Sequence, residues 1–111
     1  MNIQTQQCGA VSLLKHEGPL TGDKAQEFKS ELIEAIRKSL GRVVVDMSAV
    51  TYVDSQGLES LVEVTESLAR SGKTLKLCSV NDTLREVLEL TGVSPQFEQY
   101  EDANAAVRSF L

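Results

Sequence analysis

The chain has 111 residues, a mass of 12.1 kDa and a formal charge of −5 from 11 basic and 16 acidic side chains. A folded monomer of this mass exposes roughly 6,000 of the roughly 17,500 Å² of its extended chain, which fits one domain with a real core and excludes a large multi-domain enzyme. The acidic balance speaks against a general nucleic-acid binder and against adhesion to an anionic membrane, since both need clustered positive charge. Two cysteines, Cys8 and Cys78, make no disulfide framework and are expected to pack as small hydrophobes. Met1–Gln7 has no secretory pattern and no apolar run is long enough to span a bilayer, so a cytoplasmic location is expected.

In chain order, Ile3–Gln7 and Ala10–Lys15 read as short strands joined near Gly9. Gly18, Pro19 and Gly22 mark a turn, and His16 is expected to be an exposed loop residue before it. A helix follows with Asp23 as its cap and Gln26 as capping-box partner. Its apolar stripe is Ala25, Phe28, Leu32, Ile36 and Leu40, and Gly41 ends it. Arg42–Met47 is a β-branched run of the kind a strand buried on both faces requires. Thr51–Val53 is a second short apolar piece, broken by Asp54-Ser55-Gln56-Gly57. The next helix turns Leu58, Leu61, Val62, Thr65, Leu68 and Ala69 to one face, with Gly72 as its stop. Thr74–Cys78 is a strand, and Asn81 caps a third helix with Leu84, Val87 and Leu88 inward. Val93–Phe97 reads as a weak edge strand containing Pro95. Asp102 caps a last helix with Ala103, Ala106, Val107 and Phe110 inward. The order β-β-α-β-α-β-α-β-α predicts one α/β domain over residues 1–111, with a mixed, mostly parallel sheet of four to five strands and about four helices.

Several chemistries are missing. There is no glycine-rich phosphate motif, no Cys-x-x-Cys and no His-Glu-x-x-His. His16 is the only histidine, so neither a zinc site nor a catalytic triad is expected, and no metal or cofactor is predicted. The chain is read as a non-enzyme. All the net negative charge lies in residues 51–111, which hold five basic and ten acidic side chains. Glu59, Glu63 and Glu66 line one face of the second helix: a solvated acidic face, or a steering surface for a basic partner. Glu66 can pair with Arg70.

The informative residues are Asp46 at the end of the buried strand and Asp54-Ser55 directly before a helix. Ser55 is well placed as an N-cap, in which role its loss would cost about 0.5–2 kcal/mol. A phosphoryl group on Ser55 would also sit at the positive end of a helix dipole, near free N–H donors, and would add a charge of about −1.5 to −2. A small domain can then be a binary binding switch with no catalytic residue of its own. Asp54 either orients this loop or helps an incoming kinase align the hydroxyl. Gly57 is costly in a first helical turn unless a side chain there would obstruct close packing or the approach of a partner. A valine at 57 is expected to damage docking more than folding.

The segment Val43-Val44-Val45-Asp46-Met47-Ser48, then Tyr52-Val53-Asp54-Ser55-Gln56-Gly57-Leu58, resembles the STAS domain family of anti-sigma factor antagonists. The resemblance extends over the whole chain, from Gly18-Pro19-Leu20 through Gly72-Lys73, Asn81 and Thr91-Gly92 to Phe97. It implies a mixed sheet with helices largely on one side. It also implies that Ser55 is the phosphoacceptor for a partner that is both anti-sigma factor and serine kinase, and that a serine phosphatase reverses the step. The unphosphorylated form binds the partner and the sigma factor is released. By the same resemblance Asp54, Gln56, Gly57 and Leu58 form the contact rim, with Glu59 and Glu63 beside it. The chain departs from the family pattern at Thr21, where antagonists usually carry Asp; the next acid is Asp23, and Thr21 brings no charge to the kinase contact. The expected molecule is a monomer or weak dimer, without direct nucleic-acid binding or membrane insertion. Two other readings are a constitutive STAS accessory subunit of a membrane transporter or signalling complex, and a small enzyme or nucleotide-binding module.

Overall fold

The computed structural model describes residues 3–111; Met1 and Asn2, part of the segment read for a leader, lie outside the described residues. β1 (Ile3–Cys8) and β2 (Val11–His16) form an antiparallel hairpin. β3 (Val43–Asp46), β4 (Leu75–Cys78) and β5 (Phe97–Tyr100) then add in parallel, giving a mixed sheet in the order β1-β2-β3-β4-β5. Parallel neighbours need crossovers, and α1 (Gly22–Ser39), α2 (Ser55–Ala69) and α3 (Asp82–Leu90) supply them. α4 (Ala103–Arg108) follows β5.

Val43, Val44 and Val45 are all buried, as their unbroken apolar run predicts. Val43 and Val45 face the main core, with Phe28 and Leu32 of α1, Leu61, Val64 and Leu68 of α2, and Leu84 and Leu88 of α3. Val44 points the other way, into a smaller cluster of Val11, Cys78 and Ala106 that α4 covers. Three helices therefore lie on one face and one short helix on the other. Lys76, also on the α4 face, holds the C-terminal residues. Its Nζ lies 3.8 Å from the centre of the Phe110 ring and donates to Ser109 Oγ at 2.7 Å. The accessible surface is 6116 Å², close to the value expected for a chain of this mass.

Four local expectations change. His16 is the last residue of β2 and is buried, with Nε2 3.0 Å from the Pro19 carbonyl oxygen and its ring edge-on to Phe28. The turn after it folds back over the imidazole, so the residue is part of the core and not of a loop. α1 is not capped by Asp23: its N-cap is Thr21, which makes no side-chain cap. At the other end Leu40, not Gly41, is the first left-handed residue (φ 56°), which swings its side chain off the stripe into solvent. Ser94–Gln96 is a 3-10 turn, and the last strand starts only at Phe97. Pro95 lacks the N–H a ladder needs, but its fixed φ suits the first turn of a helix.

On the far face, burial pushes the Cys78 thiol up to about 11, with the charge of Asp46 adding to it. Cys8, at the end of β1, is only partly buried. The thiolate is the reactive form, so burial protects Cys78 twice. One thiol, Cys8, is expected to react with an aromatic disulfide reagent in the native protein. The second should appear only in denaturant. Rapid native labelling of both would place Cys78 nearer the surface than this packing allows.

Candidate functional site

The C-terminal ends of the strands lead into two helix N-termini that lie side by side. Leu20 and Val53 form an isolated parallel bridge, with Leu20 N–H donating to the Tyr52 carbonyl at 2.9 Å. This holds the entry to α1 against the entry to α2. Asp54 is the α2 N-cap, and both of its carboxylate oxygens are used. Oδ1 accepts from Gly57 N–H at 2.8 Å, within its own helix. Oδ2 accepts from Gly22 N–H at 3.2 Å, the first residue of α1. One carboxylate thus satisfies orphan donors at two helix starts, where the dipoles of both helices favour negative charge. That is why Thr21 needs no side-chain cap and why Asp23, exposed in the first turn of α1, supplies none.

Ser55 is therefore not the cap. It is the first residue of α2, exposed, with its hydroxyl outside the capping bond that Asp54 makes. The N–H groups of Ser55 and Gln56 precede any intrahelical acceptor and stay open at this end. Gln56 is exposed, and its side-chain oxygen lies over Gly22. Gly57 is buried: a β-carbon there would overlap the Leu20 carbonyl oxygen and lie 2.7 Å from Val53 Cγ1. Of the two roles open to this glycine, the geometry selects close packing of the α2 first turn on the Leu20 backbone. The expectation that a valine here damages docking more than folding is overturned by that overlap, and Gly57, being buried, does not belong to an exposed rim. Leu58 is half-buried against the main core.

The acidic stripe divides. Glu59 is exposed one turn from Ser55. Glu63 is neutralised by Lys29 of α1 at 2.9 Å, which braces the two helices together. Lys29 and Glu63 border a groove of about 410 Å³ between α1 and α2, with Ile33, Ile36, Glu66 and Arg70. Glu66 and Arg70 do not meet as an ion pair among the described residues. The structure thus gathers Thr21, Asp54, Ser55 and Gln56 at one corner, with Asp23 in the adjoining turn. Glu63 stands about 12 Å further along the helix axis. Sequence reasoning missed the Leu20 carbonyl and the Gly22 N–H, because both are backbone groups brought in by the chain's return. It also missed His16, which steadies the Pro19 carbonyl one residue before Leu20. Among the described residues no group of three or more His, Cys, Asp or Glu side chains is placed to hold a metal ion. No helix among them is long and apolar enough to cross a membrane.

Comparison with known proteins accords with this fold. A model of the STAS domain matches residues 2–106. BtrV of Bordetella bronchiseptica, named as an anti-sigma factor antagonist, is 29% identical over 94 residues, covering 85% of this chain and 81% of that protein. The crystal structure of a Thermotoga maritima protein assigned as an anti-sigma factor antagonist superposes with a TM-score of 0.86 at 23% identity, covering 96% of this chain and 92% of that one. The Bacillus cell fate determinant SpoIIAA, solved in its phosphorylated form, gives a TM-score of 0.72 at 16% identity over 96% of this chain and 98% of its own.

The cap assignment makes a ranking. Asp54→Ala leaves two helix starts without an acceptor and is expected to lower unfolding stability by roughly 2 kcal/mol. Gly57→Ala forces the α2 first turn off Leu20 and should cost about 3 kcal/mol. Ser55→Ala should stay within about 0.5 kcal/mol of the native chain. Urea titrations of the three variants check the order; a Ser55→Ala loss equal to that of Asp54→Ala would return the cap to the serine.

Proposed function

We propose that this chain, which belongs to the STAS domain family, is an anti-sigma factor antagonist: a binding protein without catalytic residues, switched by phosphorylation of Ser55. The observation that carries the reading is that the Ser55 hydroxyl is exposed at a helix N-terminus whose capping is done by its neighbour. The hydroxyl is thereby free for modification. Support also comes from a relative named as an anti-sigma factor antagonist and from a fold shared with a protein solved in phosphorylated form.

In this reading the unmodified corner binds an anti-sigma factor that is also a serine kinase. The rim is Gln56, the exposed edge of Leu58, and Glu59, with Thr21 and Asp23 from the start of α1. Asp54 takes part by holding the corner, since both its oxygens are occupied by backbone N–H groups. Transfer of a phosphoryl group from the kinase's nucleoside triphosphate to Ser55 Oγ breaks the β–γ phosphoanhydride bond, releases the nucleoside diphosphate and the hydroxyl proton, and adds a charge of about −1.5 to −2 to this chain. The open N–H groups of Ser55 and Gln56 and the helix dipole accommodate that charge locally, so the fold survives. At the interface the same charge, beside Glu59 and Asp54, repels an acidic surface and resists desolvation against an apolar one. A serine phosphatase resets the switch. The chain acts as a single cytoplasmic domain over residues 1–111 and regulates transcription through its partner.

Intact-mass and site-mapping spectrometry on the protein from its own cells, in growing and stressed cultures, tests the reading. The expected result is one phosphoryl group on Ser55 whose occupancy changes with condition. A chain unmodified in every condition would sink it. With the kinase in hand, Ser55→Ala should hold it permanently, and Ser55→Asp should weaken the complex only in part, having one charge and a different reach.

A further inference from the structure

The two edges of the sheet differ in how they are protected. β5 is four residues long, is preceded by Pro95, and carries Glu98, whose carboxylate is held below its usual range by hydroxyl bonds from Thr74 and Tyr100. Short length, charge and an adjacent proline are the usual devices that stop an edge from recruiting another strand. β1 has none of them. It is six residues, Ile-Gln-Thr-Gln-Gln-Cys, without a charge or a proline, in a chain that is 24% charged. Its pairing with β2 runs one-to-one from Ile3↔His16 to Cys8↔Val11, so there is no bulge to twist the edge away. Gln4 to Gln7 are all exposed, so neither face of the strand is covered. Among the described residues no strand lies on its outer side, where alternate N–H and C=O groups point outward.

We propose that this edge pairs antiparallel with the β1 edge of a second copy of the chain, joining two five-stranded sheets into one. A twofold axis perpendicular to the sheet is the operation that brings a strand edge onto itself in antiparallel sense, and it keeps facing residues on the same side. Centred on Thr5 it sets Thr5 against Thr5, Gln4 against Gln6 and Ile3 against Gln7. No like charges meet, and Thr–Thr pairs across strands are stabilising. The side chains allow it. Gln4 and Gln7 are turned back toward the β2 side by bonds to Glu17 and Ser12, which leaves the centre of the edge open. The interface is closed and isologous, so it gives a dimer and not a filament. It is small beside a standard protein interface, so association is reversible and depends on concentration.

Sedimentation equilibrium of the whole chain from micromolar to millimolar concentration tests this. The native mass is expected to rise from 12.1 kDa toward twice that value. Thr5→Lys with Gln6→Lys puts like charges across the axis in either neighbouring register and should weaken association at least tenfold. Thr5→Glu with Gln6→Glu should do the same. An equimolar mixture of the two variants should recover the two-chain mass, which also shows that each is folded. A native chain that keeps the one-chain mass throughout overturns the proposal. So does a lysine variant that associates as tightly as the native chain, or a mixture that stays monomeric when both variants retain native circular dichroism.

Discussion

A single carboxylate joins the two helix starts on which the candidate corner is built. Asp54 accepts from Gly57 within α2 and from Gly22 at the start of α1. Each donor is a first-turn N–H that would otherwise have only water, and each lies where a helix dipole favours negative charge. The arrangement makes the corner a unit. α2 cannot rotate about its cap without releasing α1, and the loop before α1 cannot lift without stripping an acceptor from its first turn. Thr21, the nominal cap of α1, is freed from capping by this bond.

Packing reinforces the electrostatics. The missing side chain at Gly57 lets the α2 backbone rest on the Leu20 carbonyl, while His16 holds Pro19 beneath the same loop. The Lys29–Glu63 pair braces the two helices lower down. A corner fixed at so many points transmits little by changing shape. What it can present to a partner in two distinct versions is charge. This suits a chain whose acidic surplus lies wholly in residues 51–111.

The alternation of strands with crossover helices was legible because its signals are local and strong, whereas helices largely on one side were implied by the family resemblance. Three consecutive valines in β3 need apolar cover on both faces, and they have it. Asn81 and Asp102 cap their helices as their positions suggest, each accepting from the N–H three residues on. The misread residues fall into two groups: in some another group took over a job that looked local, and in others the backbone conformation of the segment itself decided. Asp54 replaced both Asp23 and Ser55 as a cap. A returning loop buried His16, and a doubly left-handed exit at Leu40 and Gly41 turned a stripe leucine outward. Pro95 opened a 3-10 turn where a strand was expected. At the corner, a helix start at Asp54-Ser55 was legible from the sequence. The backbone partners of its residues were not, because nothing in Leu20 or Gly22 as residue types marks them as contacts.

The exposed position of Ser55 also bears on how long the protein lasts in a cell. Degradation of a small domain follows the fraction of molecules that are transiently open, which folding stability sets. An unmodified side chain outside the cap and outside the core contributes little to that stability; a phosphoryl group there gains from the helix dipole and loses to Glu59 and Asp54, and where the two offset, the open fraction stays nearly unchanged. On the proposed switch, the two forms of the chain would then be cleared at similar rates. The cell could hold a constant total of this protein while the ratio of the forms varied, and the signal would be carried by that ratio alone.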